Sequence, residues 1–430
     1  MEYDNKQVIV KLKDGTEVEG IAIPKTEYSK DDILIVKRRD GYNVGVSKQR
    51  IKSIKVVGDV GARAGRAAKA DPKQFKGGPG VGLLATGGTI ASRVDYVTGG
   101  VRASMSAEEI LSAVPEAGDF ATIDFKTLFN KLSEDMTPQD WVRIAKATAA
   151  LLKKNEGVVV LHGTDTLHYT AAALSFMIDS GKPVVLTGAQ RSSDRPSSDA
   201  FENILASLRT AQSRIGETVV CFHSGTSDGS FDVMRATRVR KMHTSARPAF
   251  KSINTPVLAT IDTAGRLKKL ADFAERNNRK KTTVDAKLED KVALVKVFPG
   301  SDPAVLEWYA GQGYKGVVLE GTGLGHVPVN PSNGRGWIPA IRKVMEEEKL
   351  AVVMTSQAIY GRTHPYVYTN LRALSKEGVI FAGDILPETA LVKLMWVLGH
   401  TNKTEEVAKL MRTDLRGELT PRTLQVNPEP

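Results

Sequence analysis

The strongest constraint on this chain is a series of apolar runs that end in glycine and threonine: VGLLATGGT from residue 81, VVVLHGTDT from 158 and PVVLTG from 183, with TVVCF following at 218. A strand that is apolar at every position has to be covered on both faces. Parallel sheets flanked by helices meet that demand. Amphipathic, helix-like stretches separate these runs, so the sequence predicts an α/β fold. Past residue 291 the runs VALVKVF, GVVLE, LAVVMTS and GVIFAG repeat the texture and predict a second, smaller α/β unit. A helix over 388–398 follows Pro387 and stops at Gly399, with proline at the start and glycine at the stop.

The front of the chain reads differently. Short alternating runs at 8–12, 18–23, 33–36, 42–46 and 51–57 predict five strands, with Asp14-Gly15 and Asp40-Gly41 between runs, where turns accept positive φ. Five strands in so few residues predict a small β-barrel over 1–57. Residues 58–80, rich in Gly, Ala and basic side chains, predict a linker. A polar, charge-mixed stretch at 264–291 predicts a break between an α/β domain at 81–263 and another at 292–430.

Composition narrows the function. The single cysteine, Cys221, excludes an intramolecular disulfide and a thiolate metal cluster, and its apolar neighbours predict a buried strand position. No run reaches the roughly 18 apolar residues of a membrane span, and the first residues carry no secretory pattern, so a cytoplasmic location away from membranes is expected. The net charge is +11, and residues 1–80 hold 17 Lys and Arg against 11 Asp and Glu. That bias suits polyanionic partners but specifies none.

The strand-to-loop junctions carry the chemistry. In TGGT the two glycines, Gly87 and Gly88, let the backbone approach a ligand, although a glycine pair after a strand is commonly only a turn. The loop lacks the lysine of a P-loop, and no GxGxxG follows a strand, so nucleotide binding is disfavoured. In HGTDT, Thr164-Asp165-Thr166 taken alone reads as a helix cap. His162 and His168 lack a metal-ligand spacing and read as structural histidines. Asp199 is placed to cap a helix beginning near Phe201. Lys241, among basic neighbours, is either a solvated charge or, if buried, a base with a lowered pKa.

TGGTIAS, HGTDT and TGAQRSSDRPSSDAFEN, in this order and spacing, resemble the bacterial-type L-asparaginase family. VRK, FKSIN and the later GDILPETALVKLMWVLG extend the likeness into an asparaginase-like two-unit parallel-sheet module. The front β-domain and basic linker further resemble the archaeal glutamyl-tRNA(Gln) amidotransferase D-subunit family. The resemblance implies that Thr89 is the nucleophile and that Thr164, Asp165 and Lys241 form a second catalytic cluster. It implies that Tyr96 sits on a flap and that Ser133 of SEDM, followed by Glu134, binds the substrate carboxylate. Gly163 is a further substrate-binding candidate, and amide hydrolysis can use loop N–H groups near Gly88 and Thr164 to face the oxyanion. The family also draws an acidic residue from a neighbouring subunit, and no match for it follows TSQAIYGRTH.

The implied function is glutamine or asparagine hydrolysis that supplies ammonia to a partner E subunit, which amidates Glu-tRNA(Gln). No cofactor or metal is expected in this chain, with ATP and Mg on the partner. A homodimer within a heterotetramer is also implied. The rivals are a stand-alone asparaginase with an appended β-domain and a silent RNA-binding scaffold. The joint presence of Thr89, Thr164, Asp165 and Lys241 argues against the scaffold.

Overall fold

The computed structural model describes residues 3–4, 6–23, 32–38, 43–59, 77–88, 92–94, 101–103, 114–191 and 198–423. Strands β1 (Lys6–Leu12), β2 (Glu17–Ile23), β3 (Ile33–Lys37), β4 (Asn43–Ser47) and β5 (Ile51–Asp59) form an antiparallel sheet in the order β4-β3-β2-β1-β5. All five expected strands are there. Among the described residues no ladder joins β4 to β5, so the barrel expected from sequence is an antiparallel sheet as far as pairing goes. Alternation sends Val8, Val10 and Leu12 to one face, where they meet Ala22, Leu34, Val36 and Val46 in a small core. Most of the expected linker, residues 60–76, lies outside the described residues. Its described ends are not loose, since β5 runs on to Asp59 and a Cβ on Gly77 would sit 2.2 Å from the Gly118 carbonyl oxygen.

The second unit is built on β6 (Gly80–Gly87), β7 (Thr122–Lys131), β8 (Gly157–Leu161), β9 (Val184–Thr187), β10 (Thr218–His223) and β11 (Phe231–Arg235). A ribbon of β12 (Val239–Lys241) and β13 (Phe250–Ser252) follows, and then β14 (Ala259–Ile261) and β15 (Leu267–Lys269). Eight of these make one sheet in the order β15-β14-β11-β10-β9-β8-β6-β7. The strands from β7 to β10 are parallel, as the double-sided apolar runs predict. The sheet as a whole is mixed, because β11, β14 and β15 add antiparallel at one edge. It also continues past the expected break at 264, since β15 is its outermost strand. Further along the same stretch Thr283–Val284 pairs with Ile178–Asp179 in a separate two-stranded sheet.

Alternate residues of the parallel strands serve two cores. Val158, Val160 and Leu84 face helices α1 (Pro138–Leu152) and α2 (Leu167–Met177), while Val159, Leu161 and Leu83 face α3 (Ala200–Gln212). Each such fully buried Val or Leu contributes roughly 1.5–3 kcal/mol. Helix α1 starts on a capping box in which Thr137 and Asp140 satisfy each other's backbone N–H groups. Cys221 is fully buried on β10, as expected, and burial pushes its thiol up to about 12.

The third unit has four parallel strands, β16 (Val292–Lys296), β17 (Gly316–Gly321), β18 (Ala351–Ser356) and β19 (Ile380–Phe381), with α4 (Ala304–Gly311), α5 (Trp337–Glu346) and α6 (Thr369–Lys376). Helix α7 (Pro387–Leu398) starts on the expected proline. It does not close the fold, because α8 (Thr404–Arg412) follows. One face of this unit shares its core with the sheet above: Val318, Val353 and Leu394 join Val160 and Leu174. Through that shared core α7 packs on α2 and against the segment that leads into β12. No helix among the described residues is long and apolar enough to cross a membrane.

Candidate active site

Parallel strands present their carboxyl ends on one edge of the sheet, where ligands bind in such folds. There the loops after β6, β7, β8 and β9 interlock through positions that have no side chain. Gly87 and Gly88 adopt φ of +109° and +83°, conformations that L side chains avoid. A Cβ on Gly88 would lie 2.3 Å from Gly163 Cα, and one on Gly163 would lie 2.7 Å from Ser133 Cβ. A Cβ on Gly188 would lie 2.5 Å from the His162 carbonyl oxygen and 3.0 Å from Thr164 Cγ2. The backbone N–H of Gly88 donates to the Lys131 carbonyl at 3.0 Å. TGGT, SEDM, HGTDT and TGAQ are therefore brought together from loops far apart in the chain.

Buried polar groups fix these loops from beneath. The Thr86 hydroxyl donates to the Leu161 carbonyl at 2.8 Å, and the Thr187 hydroxyl donates to the Cys221 carbonyl at 2.9 Å. Burial pushes His162 down to about 4, so the imidazole is neutral. Its Nδ1–H donates to the Gly163 carbonyl at 2.7 Å, and Nε2 accepts from the Thr170 hydroxyl at 2.9 Å. The structural reading of this histidine holds. Asp199 precedes α3 but does not cap it. Its carboxylate accepts instead from the N–H groups of Gln190 and Arg191 at 3.0–3.1 Å and from Asn203 Nδ2 at 3.1 Å, which ties the TGAQ loop down. Thr166 likewise makes no side-chain cap on α2. Its hydroxyl donates to the Ser133 carbonyl at 2.6 Å and joins HGTDT to SEDM.

The distinctive chemistry is a cation under the HGTDT loop. Lys241, the last residue of β12, donates from Nζ to Thr164 Oγ1 at 2.9 Å and to Asp165 Oδ1 at 2.6 Å. The lysine side chain is 9% exposed and that of Asp165 is 66% exposed, so the ammonium is buried while its counter-ion faces the open cleft. Thr164 is buried. Because its oxygen accepts from Lys241, its own hydrogen is free to serve another acceptor. The trio can move a proton between a buried amine and the mouth of the cleft.

Six of the nine site residues expected from sequence are joined by these contacts: Gly88, Ser133, Gly163, Thr164, Asp165 and Lys241. Ser133 is buried, and Glu134 is exposed on the same turn. Thr89 and Tyr96 lie outside the described residues.

Sequence reasoning missed the far side of Lys241. There His168, Tyr169, Arg240 and Glu388 line, with Asp165 and Lys241, a cavity of about 370 Å³. Arg240 bonds Glu388 Oε1 at 3.1 Å. Burial pushes Glu388 up, against the pull of Arg240, and pushes His168 down to about 3, helped by the charges of Arg240 and Lys241. A glutamate in a helix's first turn carries no sequence signal that sets it apart.

Glu202, His223 and Asp228 bring three donor atoms within 4.8 Å of one another. All three are already engaged. His223 Nδ1 bonds Asn203 Oδ1 at 2.8 Å, its Nε2 meets Glu202 at 3.2 Å, and Asp228 pairs with Arg247. Asn203 in turn donates to the Gly188 carbonyl at 2.9 Å, so this group braces the TGAQ loop.

Three family descriptions match the chain: "GatD N-terminal domain" over residues 4–57, "Asparaginase, N-terminal" over 80–272, and "Glutaminase/Asparaginase C-terminal domain" over 291–411. Similar proteins include the D subunit of the glutamyl-tRNA(Gln) amidotransferase of Pyrococcus furiosus, 49% identical over 96% of this chain and 94% of its own. The D subunit of the Archaeoglobus fulgidus enzyme is 42% identical over 98% and 96%. Among solved structures, the thermostable L-asparaginase of Thermococcus kodakarensis aligns with a TM-score of 0.71 at 36% identity, covering 79% of this chain and 99% of its own. L-asparaginase I of Vibrio cholerae aligns at 0.68 and 30%, covering 80% and 99%.

Proposed function

The chain belongs to the D-subunit family of glutamyl-tRNA(Gln) amidotransferases, and from that premise we propose that it is the amide-hydrolysing component of such an enzyme. It releases ammonia from glutamine, or from asparagine, for a partner subunit that converts Glu-tRNA(Gln) to Gln-tRNA(Gln). The observation that carries the chemistry is the Lys241 amino group held between Thr164 and Asp165. The feature that favours a component of a complex over a free-standing amidase is the antiparallel front domain, which the aligned asparaginases, at 99% coverage of their own length and about 80% of this chain, do not account for.

In the proposed mechanism the Thr89 hydroxyl oxygen adds to the side-chain amide carbon, and its proton goes to Thr164 as Thr164 gives its own to the uncharged amine form of Lys241. The ammonium so formed returns a proton through Thr164 to the nitrogen. The C–N bond breaks, ammonia departs, and an ester to Thr89 remains. Water then adds to the ester along the same relay and releases the acid. N–H groups of the interlocked glycine loops face the oxyanion, Ser133 holds the substrate's α-carboxylate, Glu134 and Asp165 face its ammonium, and Tyr96 closes over the site. Hydrogen bonds fixed before reaction stabilise developing charge at no reorganisation cost. The chain itself needs no cofactor in this scheme, and the ATP and Mg of the amidation step belong to the partner E subunit. The setting is cytoplasmic, with two copies of each component.

Two expectations follow. Gly88→Ala adds a Cβ where the Gly163 backbone sits, at a φ that L residues avoid, so amide turnover falls roughly a hundredfold as the two loops separate. Steady-state kinetics beside a thermal melt check this, and full turnover in a folded Ala variant would contradict the interlock. The second compares ammonia release by the chain alone, with its partner, and with partner plus charged or uncharged tRNA. Weak activity alone and marked stimulation by partner with Glu-tRNA(Gln) is the expected result, because ammonia released without an acceptor is wasted. High and equal rates throughout would point instead to a stand-alone asparaginase.

A further inference from the structure

The carboxylate of Glu388 lies almost wholly buried, with one oxygen on Arg240 and the other, Oε2, bonded to nothing among the described residues. His168 Nδ1 beside it is likewise unpartnered, and His168 Nε2 stands 4.0 Å from Glu388 Oε1. A half-satisfied buried carboxylate is costly, and a fold whose only need was to fill this space would do better with an apolar side chain. The place it occupies is specific. Arg240 is the immediate neighbour of Lys241 on β12, and α7 reaches this strand from the C-terminal unit, where Thr389 donates to the Thr237 carbonyl at 3.1 Å.

We propose that Glu388 is a positioning residue for the amide chemistry, acting through Arg240 to hold β12 and to set the charge that surrounds Lys241. The inference rests on the mechanism above, in which Lys241 exchanges protons with Thr164. Two consecutive cations, Arg240 and Lys241, line one cavity, and each has its own carboxylate: Asp165 for the lysine and Glu388 for the arginine. The other titratable groups around them are His162, His168 and Tyr169 from the HGTDT loop and α2, His243 just beyond β12, and Glu320 of β17, whose charge is felt by Glu388 and Tyr169. Without Glu388 the Arg240 charge acts on Lys241 uncompensated, and the lysine gives up its proton more readily.

The test is the pH profile of kcat/KM for amide hydrolysis by the full chain together with its partner. In Glu388→Gln the acid limb moves to lower pH by roughly half a unit to one unit, the effect of one uncompensated neighbouring charge. In Arg240→Met it moves the opposite way, because the glutamate is then the unbalanced charge. In the double variant it returns close to the wild-type position. A thermal melt establishes that each protein is folded. If Arg240→Met does not fold, Glu388→Asp replaces it, and partial return of the limb toward wild type supports the proposal. A Glu388→Gln profile with an unmoved limb overturns it, whatever happens to kcat, because a merely structural role lowers activity without shifting the limb. If Lys241→Met keeps full activity, the mechanism fails and not this inference alone.

Discussion

Lys241→Met should leave at most about one thousandth of the wild-type kcat/KM for ammonia release while the protein melts within a few degrees of wild type. The size of the effect follows from the relay. A hydroxyl nucleophile is weak until a base takes its proton, and a positioned acid or base contributes roughly 10²–10⁴ in rate. The small effect on folding follows from exposure. Removal of the lysine strands Asp165, but that side chain is 66% exposed and water rehydrates it. Thr164→Val keeps the shape of a buried side chain and removes only the hydroxyl between Lys241 and the cleft, so it should match Lys241→Met. Asp165→Asn and Thr89→Ala should do the same. Because groups that act as one unit fail together, the Thr164→Val/Lys241→Met pair should be little worse than either single change. Near-normal turnover by Thr164→Val would refute the relay. A double variant far slower than both singles would show that the two residues act independently.

Much of this arrangement was legible in the sequence because parallel strands buried on both faces spell themselves out as unbroken apolar runs, and their loops must then lie at one edge. The same rule explains what was not legible. Strands β11, β14 and β15, with FDVMR, ATI and LKK, are short and mixed in polarity because they sit toward the sheet's antiparallel edge, and LKK reads as loop. The expected break at 264 fell inside the sheet for that reason. The glycines of TGGT suggest a backbone that approaches a ligand. In the structure Gly88 approaches Gly163, another backbone, and sequence cannot tell these two uses of a missing side chain apart. Asp199 and Thr166 show a related ambiguity. Both stand at helix starts, where capping is the local expectation, and both spend their hydrogen bonds on distant loops. Glu388 and Arg240 were invisible because their meaning arises only when α7 and β12, far apart in the chain, come together.

The largest loss of stability is expected at Lys393, on the same helix as Glu388 but outside the amide chemistry. Its ammonium and the Glu418 carboxylate are both fully buried and 2.6 Å apart. Lys393 Nζ also donates to the carbonyls of Thr413 at 2.6 Å and Met411 at 3.2 Å, and Glu418 accepts from the N–H groups of Leu415 and Arg416. The pair is thus satisfied on both sides, and Lys393 holds the Glu418 carboxyl below its usual range against the opposing effect of burial. Lys393→Met removes one charge and leaves the other uncompensated, a change that costs about 3–5 kcal/mol in buried pairs. Lys393→Met/Glu418→Leu removes both charges and should recover more than half of that loss, which denaturant unfolding can measure. Activity should fall along with stability in the single variant. The tail that Glu418 anchors also bonds, through the Arg416 and Gly417 carbonyls, to Thr237 and Arg238, and these residues lead directly into the strand that ends at Lys241. If Lys393→Met unfolds at the wild-type denaturant concentration, the buried pair does not anchor the tail. If it unfolds early and the double variant unfolds just as early, the loss is one of packing and not of charge.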